Sequence, residues 1–164
     1  MPNIFISYRH DDKEIVTRIV KHLQKSFVHV WIDDHKNLPP GSIVAGGISQ
    51  GIQKCDIFMP FISAQYLDSD YCLEELSIAN SYRIKSKLKI IPIVIDKNFN
   101  TTQINIDNQK ASLLQTLLET TKYIMVDTEE AMNHIVDAVW NDEKVRFQPI
   151  EYIQMQNVNL QKIT

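Results

Sequence analysis

Five short apolar runs, separated by stretches of helical periodicity, constrain the fold of this chain more than any other feature. The runs are rich in β-branched and aromatic residues, and most are continuously apolar, as strands covered on both faces are. They are Ile4–Ile6, Val28–Ile32, Ile57–Ile62, Ile90–Ile95 and Tyr123–Val126. The alternation predicts an α/β fold, a flavodoxin-like three-layer sandwich whose five-stranded parallel sheet has the order 2-1-3-4-5.

The segments between the runs carry apolar residues at helical spacing. Those of the first segment recur every four residues and predict a first helix that includes Phe27. They are Ile15, Ile19, Leu23 and Phe27. Pro60 and Pro92 lie inside two of the predicted strands. Because proline has no N–H to donate to a neighbouring strand, these two strand predictions are the weaker ones.

Length and charge limit the classes of protein that this chain can belong to. A chain of 164 residues can bury a core without staples, so we expect one domain over residues 1–142 and an extension of unassigned role over 143–164. A net charge of −3 gives no reason to expect nucleic acid, and no apolar run approaches the ~20 residues that span a membrane. The expected partner is a small ligand or another protein.

The cysteines and histidines form no motif with metal-ligand spacing. Cys55 and Cys72 are too few for a disulfide framework and lack a CxxC pattern, and the five histidines form no HxH or HExxH set. No basic and apolar leader opens the sequence. These features predict no metal, a reducing compartment and a cytoplasmic location.

The predicted strand order places a ligand site at the carboxyl ends of the central strands. Ligands of open parallel sheets bind beyond the carboxyl ends of the strands, where the strand order reverses. That point lies between the first and third strands. Tyr8 and Arg9 follow the first strand, Ser63 follows the third, and Asp33 follows the second beside them. The alternative for Arg9 and Asp33 is surface ion pairing, and for Tyr8 an aromatic cover on the sheet.

Two adjacent acids after the third strand are predicted to point in different directions from the helix. The apolar residues of this segment share one face of a helix drawn at about 100° per residue. They are Cys72, Leu73, Leu76 and Ala79. On the same helix Glu74 points about 170° from that face and should be solvated, whereas Glu75 lies about 90° away. Glu75 therefore lies at the boundary and can face a cleft at the strand ends, or it is a solubilising surface acid.

All four glycines of the chain fall between Gly41 and Gly51. They lack the GxGxxG order and follow a loop, so a phosphate-binding fingerprint is disfavoured. Gly47 and Gly51 are four residues apart and leave a smooth strip on a helix. Two interpretations remain open: tight packing of this helix on its own sheet, and a mobile unit that docks on a neighbouring subunit.

Three motifs together resemble the TIR domain shared by Toll and interleukin-1 receptors, plant immune receptors and many bacterial defence proteins. The first is the run Phe5-Ile6-Ser7-Tyr8-Arg9, and the second is Trp31-Ile32-Asp33 with Pro40-Gly41-Ser42 downstream. The third is Ser63-x-x-Tyr66-x-x-Ser69-x-Tyr71-Cys72-Leu73-x-Glu75-Leu76. The match runs from about Asn3 to Asn141. Tyr71 replaces the tryptophan that plant members usually have before the cysteine.

The resemblance implies an enzyme that cuts the bond between nicotinamide and ribose in NAD⁺, an NAD⁺ glycohydrolase or ADP-ribosyl cyclase. The motif glutamate, Glu75 here, is then the catalytic residue, NAD⁺ is the substrate, and no cofactor is bound permanently. Nicotinamide departs neutral from a pyridinium, so a carboxylate that stabilises the ribose cation suffices without a metal. The resemblance also implies a set of substrate-binding residues: Tyr8, Arg9, Asp33, Ser42, Ile43 and Tyr71.

The resemblance further implies an assembly loop, the BB loop of this family, which follows the second strand. Its predicted residues, with one glycine of the next helix, are Pro39, Pro40, Gly41 and Gly47. We expect self-association through this loop, in a bacterial, stand-alone, Thoeris-like enzyme of antiphage immunity. Its product would be a cyclic ADP-ribose-type or other ADP-ribosyl signal, sensed by a separate effector.

Other functional classes remain open. An NAD⁺-depleting hydrolase would share the same site. A non-catalytic adaptor, or a mimic that blocks TIR signalling, would use the BB loop without chemistry. A phospho-receiver shares the sheet order but needs an aspartate at the end of the third strand, where this chain has Ser63.

Overall fold

A computed structural model of the chain describes residues 1–32, 44–85, 88–100, 104 and 108–141, with the backbone alone for 44–46. Strands and helices alternate along it. The strands are β1 (Asn3–Ser7), β2 (His29–Ile32), β3 (Ile57–Ile62), β4 (Lys89–Ile90), β5 (Ile93–Val94) and β6 (Ile124–Met125). The helices are α1 (Lys13–Lys25), α2 (Val44–Gln53), α3 (Ala64–Leu67), α4 (Asp70–Lys85), α5 (Gln109–Thr120) and α6 (Glu130–Trp140). A single 3-10 turn, His10–Asp12, precedes α1.

The strands pair in parallel throughout the described sheet. Their order is β2-β1-β3-β5-β6, and β4 also pairs with β3. Because β4 and β5 contact β3 in one continuous register, they are two halves of the single strand that the sequence predicts over Ile90–Ile95. Counted so, the order is the predicted 2-1-3-4-5, and the α/β, flavodoxin-like prediction is confirmed.

Two prolines account for the break between the halves. Pro92 lies between β4 and β5, and the shared register places it opposite Pro60 of β3. Neither residue has an N–H, so the ladder between these strands lacks a donor where they meet. It continues on both sides, from Ile91 N to Phe58 O at 3.0 Å and from Ile95 N to Ile62 O at 3.0 Å. Pro60 stays within its predicted strand because it also pairs with Ser7 of β1, whereas the other predicted strand is divided at Pro92.

Helices cover both faces of the sheet, as the continuously apolar strands require. One face packs against α1 and α6, and the other packs against α2, α4 and α5. Side chains of β1 alternate between these layers because successive residues of a strand point to opposite faces. Ile4 and Ile6 lie on the α1/α6 face, and Phe5 lies on the α2/α4/α5 face. Ser7, two residues after Phe5, points to that second face.

The first helix is shorter than its apolar spacing predicts. It ends at Lys25, and the N–H of Ser26 donates to the carbonyl oxygen of Leu23 at 2.9 Å. Phe27 then has a φ of 59°, in the left-handed region, so the prediction that included it in the helix is wrong. The left-handed residue ends the helix and turns the chain so that Val28 enters the core at the start of β2. For a residue other than glycine this conformation costs roughly 1–2 kcal/mol.

The last described helix, α6, ends at Trp140, close to the predicted domain boundary at 142. Its final side chain is tied to the turn after α1, because Trp140 Nε1 donates to the carbonyl oxygen of Ser26 at 3.1 Å. The predicted extension 143–164 lies outside the described residues. In the part of the chain that is described, no helix combines the length and the apolar character needed to cross a bilayer.

Candidate active site at the carboxyl ends of β1 and β3

Helix α4 carries the two adjacent acids that the sequence singles out. Its start is fixed by Ser69, whose Oγ accepts a hydrogen bond from the N–H of Cys72 at 3.2 Å, a typical N-cap contact. The four apolar residues that define the predicted inner face are all buried, so that face is confirmed. They are Cys72, Leu73, Leu76 and Ala79.

Glu74 points away from the core, as predicted. Its side chain is 48% exposed and pairs with Lys110 Nζ of α5. Exposed pairs of this kind contribute little to stability, because solvent screens the charges and both side chains lose freedom. Glu74 is therefore a solvated surface acid.

Glu75 is more buried than the boundary position that the helical wheel predicts. Glu75 is 3% exposed, and among the described residues it is the only buried Asp, Glu, Lys, Arg or His. The wheel assumes one core direction, but α4 contacts α2, α5 and the end of β1, so its buried sector is wider. The outcome places a carboxylate inside the protein, at the carboxyl ends of the central strands.

A series of two buried hydroxyl groups leads to this carboxylate. Ser7, the last residue of β1, donates from Oγ to Oε2 of Glu75. Tyr66 Oη of α3 lies 2.9 Å from the same Ser7 Oγ and 3.2 Å from the carbonyl oxygen of Cys72, both within hydrogen-bond distance of its one proton. Burial, together with the nearby Cys72 and Glu75, raises the pKa of Tyr66 well above its usual value, so the phenol is neutral. These contacts join β1, α3 and α4 at one point.

A second contact joins the 3-10 turn that follows β1 to the end of β3. Ser63, which follows β3, donates to Asp12 Oδ2 at 2.5 Å and accepts from the N–H of Tyr66 at 3.1 Å as the N-cap of α3. Burial raises the pKa of Asp12, and the hydrogen bond from Ser63 opposes that shift. The structure thus brings together the strand ends where the sheet order reverses.

The predicted contact residues near these strand ends lie on different faces of the sheet. The ring of Tyr71 is half-buried against the α2/α4/α5 layer, on the same face as Glu75. The ring of Tyr8 packs against the α1/α6 layer on the opposite face. Arg9 is exposed, and its Nε lies 3.0 Å from Asp11 Oδ2. The hydrogen bond from Arg9 lowers the pKa of Asp11.

The remaining predicted residues of the BB loop and its neighbours lie outside the described residues. They are Asp33, Pro39, Pro40, Gly41, Ser42 and Ile43. Their assignment as substrate-binding or assembly residues stays a prediction.

The cysteines are poor candidates for catalysis. Burial raises the pKa of the Cys72 thiol to about 12, and burial with the nearby Asp56 raises that of Cys55 to about 11. A thiol must lose its proton to act as a nucleophile or a metal ligand, so both side chains behave as apolar packing groups. Within the described ranges, no three His, Cys, Asp or Glu side chains are grouped in a way that could hold a metal ion.

Sequence reasoning assigned no role to Ser7 or Tyr66, although both belong to the motifs that carry the family resemblance. For each of them, one feature indicates a buried hydroxyl group that needs a hydrogen-bond partner. Ser7 ends the strand after three apolar residues, Ile4–Ile6, and lies on the face of Phe5, where a buried hydroxyl group needs a partner. Tyr66 is buried completely, and a buried phenol usually has a hydrogen-bond partner.

The two glycines of α2 that the structure describes have different surroundings. A Cβ built on Gly51 would lie 2.7 Å from Cη2 of Trp31, whose ring centroid is 4.7 Å from that of Phe5. A Cβ built on Gly47 meets no atom within 4 Å, and Gly47 is exposed. Tight packing on the protein's own sheet therefore explains Gly51, whereas Gly47 belongs to open surface.

Comparison with known proteins identifies the family. The sequence model described as "TIR domain" matches residues 4–136. The chain is 30% identical over 95 residues, 57% of its length, to a protein of Brachypodium distachyon named "Probable 2' cyclic ADP-D-ribose synthase BdTIR". It is 27% identical over 100 residues to the uncharacterized protein y4lF of Sinorhizobium fredii. The matched regions cover 40% and 30% of those two proteins, so the chain spans less than half of either relative.

Solved structures of low sequence identity share the fold. The TIR domains of the activated Roq1 resistosome superpose with a TM-score of 0.70 at 16% identity, over 85% of this chain and 99% of that one. The TIR domain of the Toll-related receptor TRR-2 from Hydra magnipapillata gives 0.62 at 16%, over 86% and 100%. The CMP N-glycosidase BcmB of Clostridium botulinum gives 0.54 at 18%, over 83% and 98%. On the extent of the family match, this chain belongs to the TIR domain family.

Proposed function

We propose that this TIR domain cleaves the bond between nicotinamide and ribose in NAD⁺, with Glu75 as the catalytic carboxylate. The observation that carries the proposal is the burial of Glu75 at the carboxyl ends of β1 and β3. Burying an ionisable acid costs free energy that hydrogen bonds offset only in part, and groups buried in this way cluster at functional sites. The similarity to a probable 2′ cyclic ADP-D-ribose synthase supports the same chemistry.

The reaction needs little from the protein apart from charge stabilisation. When the bond between ribose C1′ and the pyridinium nitrogen breaks, both bonding electrons go to nitrogen, and nicotinamide leaves neutral without a proton. The ribose becomes an oxocarbenium-like cation. A carboxylate held beside the ribose hydroxyls stabilises that developing positive charge in a site of low dielectric.

Two neighbouring side chains fit the remaining parts of the substrate. Tyr71 precedes Glu75 by four residues on α4, and residues at this spacing are neighbours on one side of a helix. Its ring can therefore contact the flat, cationic nicotinamide ring while Glu75 faces the ribose. Arg9 is suited to the pyrophosphate, since its exposed pair with Asp11 is weak enough to exchange for a phosphate.

The fate of the cation determines the product. Attack by water gives ADP-ribose, whereas attack by a hydroxyl group of the same molecule gives a cyclic ADP-ribose isomer, and either step releases one proton. We propose the cyclic product, acting as a signal for a separate effector in antiphage immunity. The BB loop from Asp33 to Ile43 and the open surface at Gly47 would mediate self-association, and Asp33, Ser42 and Ile43 would complete the nucleotide pocket.

The proposal is tested by incubating the purified protein with NAD⁺ and separating the products by chromatography. CMP serves as the comparison substrate, because one protein of this fold is a CMP N-glycosidase. We expect nicotinamide and a cyclic isomer from NAD⁺ and no cytosine from CMP. Release of nicotinamide with ADP-ribose alone would favour the NAD⁺-depleting hydrolase. No nicotinamide, with or without extract of phage-infected cells, would reject the enzyme and favour the adaptor.

A further inference from the structure

The structure assigns Ser7 and Tyr66 as positioning residues of the active site: Ser7 fixes the orientation of the Glu75 carboxylate, and Tyr66 fixes the orientation of the Ser7 hydroxyl. This inference rests on the proposed function of Glu75. Neither hydroxyl needs to touch the substrate, because each acts through the next group in the series.

The rigidity of Ser7 makes it a suitable anchor for a flexible acid. Ser7 is the last residue of β1, pairs with Pro60 of β3 and is buried. Glu75, in contrast, has three rotatable side-chain bonds between the helix and its carboxylate. A hydrogen bond from a hydroxyl held by the central sheet removes much of that freedom before the substrate binds. Small displacements of a catalytic group are costly, since about 1 Å can lower a rate ~10²-fold.

The number of available protons defines the direction of the hydrogen bonds. Three contacts connect the carboxylate, Ser7 Oγ, Tyr66 Oη and the carbonyl oxygen of Cys72, but the two hydroxyl groups have only two protons. The Ser7 proton goes to Glu75, so Ser7 Oγ is left as an acceptor for Tyr66. When Tyr66 donates to Ser7, both bonds run toward the carboxylate, and each strengthens the other.

The state of Tyr66 agrees with this role. Its phenol is fully buried and remains neutral, so it keeps the proton that the series requires. Tyr66 itself is held by the N–H contact with Ser63 at the end of β3. The carboxylate is therefore linked through two hydroxyl groups to both central strands, β1 and β3.

The test uses steady-state kinetics of nicotinamide release for Ser7→Ala, Tyr66→Phe, the double variant and Ser7→Thr, which keeps a hydroxyl. Tyr82→Phe is the matched control, because Tyr82 Oη pairs with Ser49 Oγ at 2.9 Å in the same kind of contact on α2 and α4. Urea unfolding and NAD⁺ affinity are measured for every variant. Glu75→Gln in parallel tests the proposed function itself.

We expect Ser7→Ala to lower kcat about 10- to 100-fold with KM and NAD⁺ affinity within about threefold, as for loss of a hydrogen bond to a charged group. Tyr66→Phe should lower kcat about 3- to 10-fold. The double variant should match Ser7→Ala, since Tyr66 acts through Ser7. Ser7→Thr should recover most of the kcat, and Tyr82→Phe should match the wild type.

Several outcomes would overturn the inference. One is a folded Ser7→Ala protein with wild-type kcat while Glu75→Gln is inactive, which would leave the proposed function intact. Multiplicative losses in the double variant would also overturn it. If Ser7→Ala does not fold, a folded Tyr66→Phe protein with wild-type kcat would overturn the inference. A wild type that releases no nicotinamide, or an active Glu75→Gln protein, removes the proposed function and this inference together.

Discussion

A pair of alanine substitutions in α2 tests the packing of this helix on the sheet. Gly47 and Gly51 lie four residues apart in the same helix, and alanine gains about 0.8–1.0 kcal/mol of helix propensity over glycine at an interior position. In Gly47→Ala the new methyl group enters open space. We therefore expect the free energy of unfolding to rise by about 0.8–1.0 kcal/mol.

Gly51→Ala adds the same propensity but a different contact. Its methyl group would lie 2.7–2.8 Å from Cη2 and Cζ3 of Trp31, so the indole ring must move. The ring has little room to move because it packs at 4.7 Å on Phe5, which in turn stacks at 5.5 Å on Phe58. Overpacking of this kind costs about 1–3 kcal/mol, which cancels or exceeds the propensity gain.

Because the propensity gain is common to both variants, their difference isolates the steric cost. We expect Gly51→Ala to be less stable than Gly47→Ala by about 1–3 kcal/mol. Urea unfolding followed by tryptophan fluorescence measures this difference as a shift in midpoint, with a typical slope of about 1–3 kcal/mol per molar. Equal stabilities would refute the reasoning that Trp31 is fixed against Gly51.

Three further predictions concern other parts of the molecule. The pKa of Cys72, near 12, leaves almost no thiolate at neutral pH, so iodoacetamide should modify Cys72 in native protein only as fast as the protein unfolds; rapid labelling, seen by mass spectrometry, would contradict this. Burial holds the pKa of Asp12 in the folded protein above the ordinary 3.8. The folded state therefore binds this proton more tightly than the unfolded state does, and the resulting stabilisation, complete below pH 3.8, is lost as the pH rises through the pKa of the folded protein. Asp12→Asn should remove this loss. In urea unfolding at a series of pH values, the free energy of unfolding of the variant should therefore rise relative to that of the wild type above pH 3.8. Gly47→Leu should leave the monomer folded, because its site is open, but reduce any self-association measured by light scattering.

The main elements of the fold could be predicted from local pattern. Strand β3 has the bounds that its apolar run indicates, and α4 buries the predicted face. The errors arose where a nonlocal or backbone effect decided the outcome. Phe27 continues the apolar spacing of α1 but adopts a left-handed conformation that ends the helix. Pro60 and Pro92 look equivalent in sequence, yet only the strand of Pro92 is interrupted, because Pro60 keeps its pairing with Ser7 of β1.

The sequence predicts where the candidate site lies but not the hydrogen bonds and the burial of its residues. The reversal of strand order identified the edge of the sheet, and the wheel separated Glu74 from Glu75. The hydrogen bonds of Ser7 with Tyr66 and with Glu75 join residues 59 and 68 positions apart, which no local pattern encodes. The wheel also underestimated the burial of Glu75, because it counts the contacts of one helix face and not those of the neighbouring elements.

The most direct test of the central claim compares nicotinamide release by Glu75→Gln and Glu74→Gln. The two substitutions are chemically identical and adjacent on α4, but Glu75 is buried beside Ser7, whereas Glu74 is solvated beside Lys110. We predict that Glu75→Gln lowers kcat by at least ~10²–10³-fold while Glu74→Gln keeps wild-type kcat. Equal losses in the two variants, or full activity in Glu75→Gln, would contradict the assignment of Glu75 as the catalytic carboxylate.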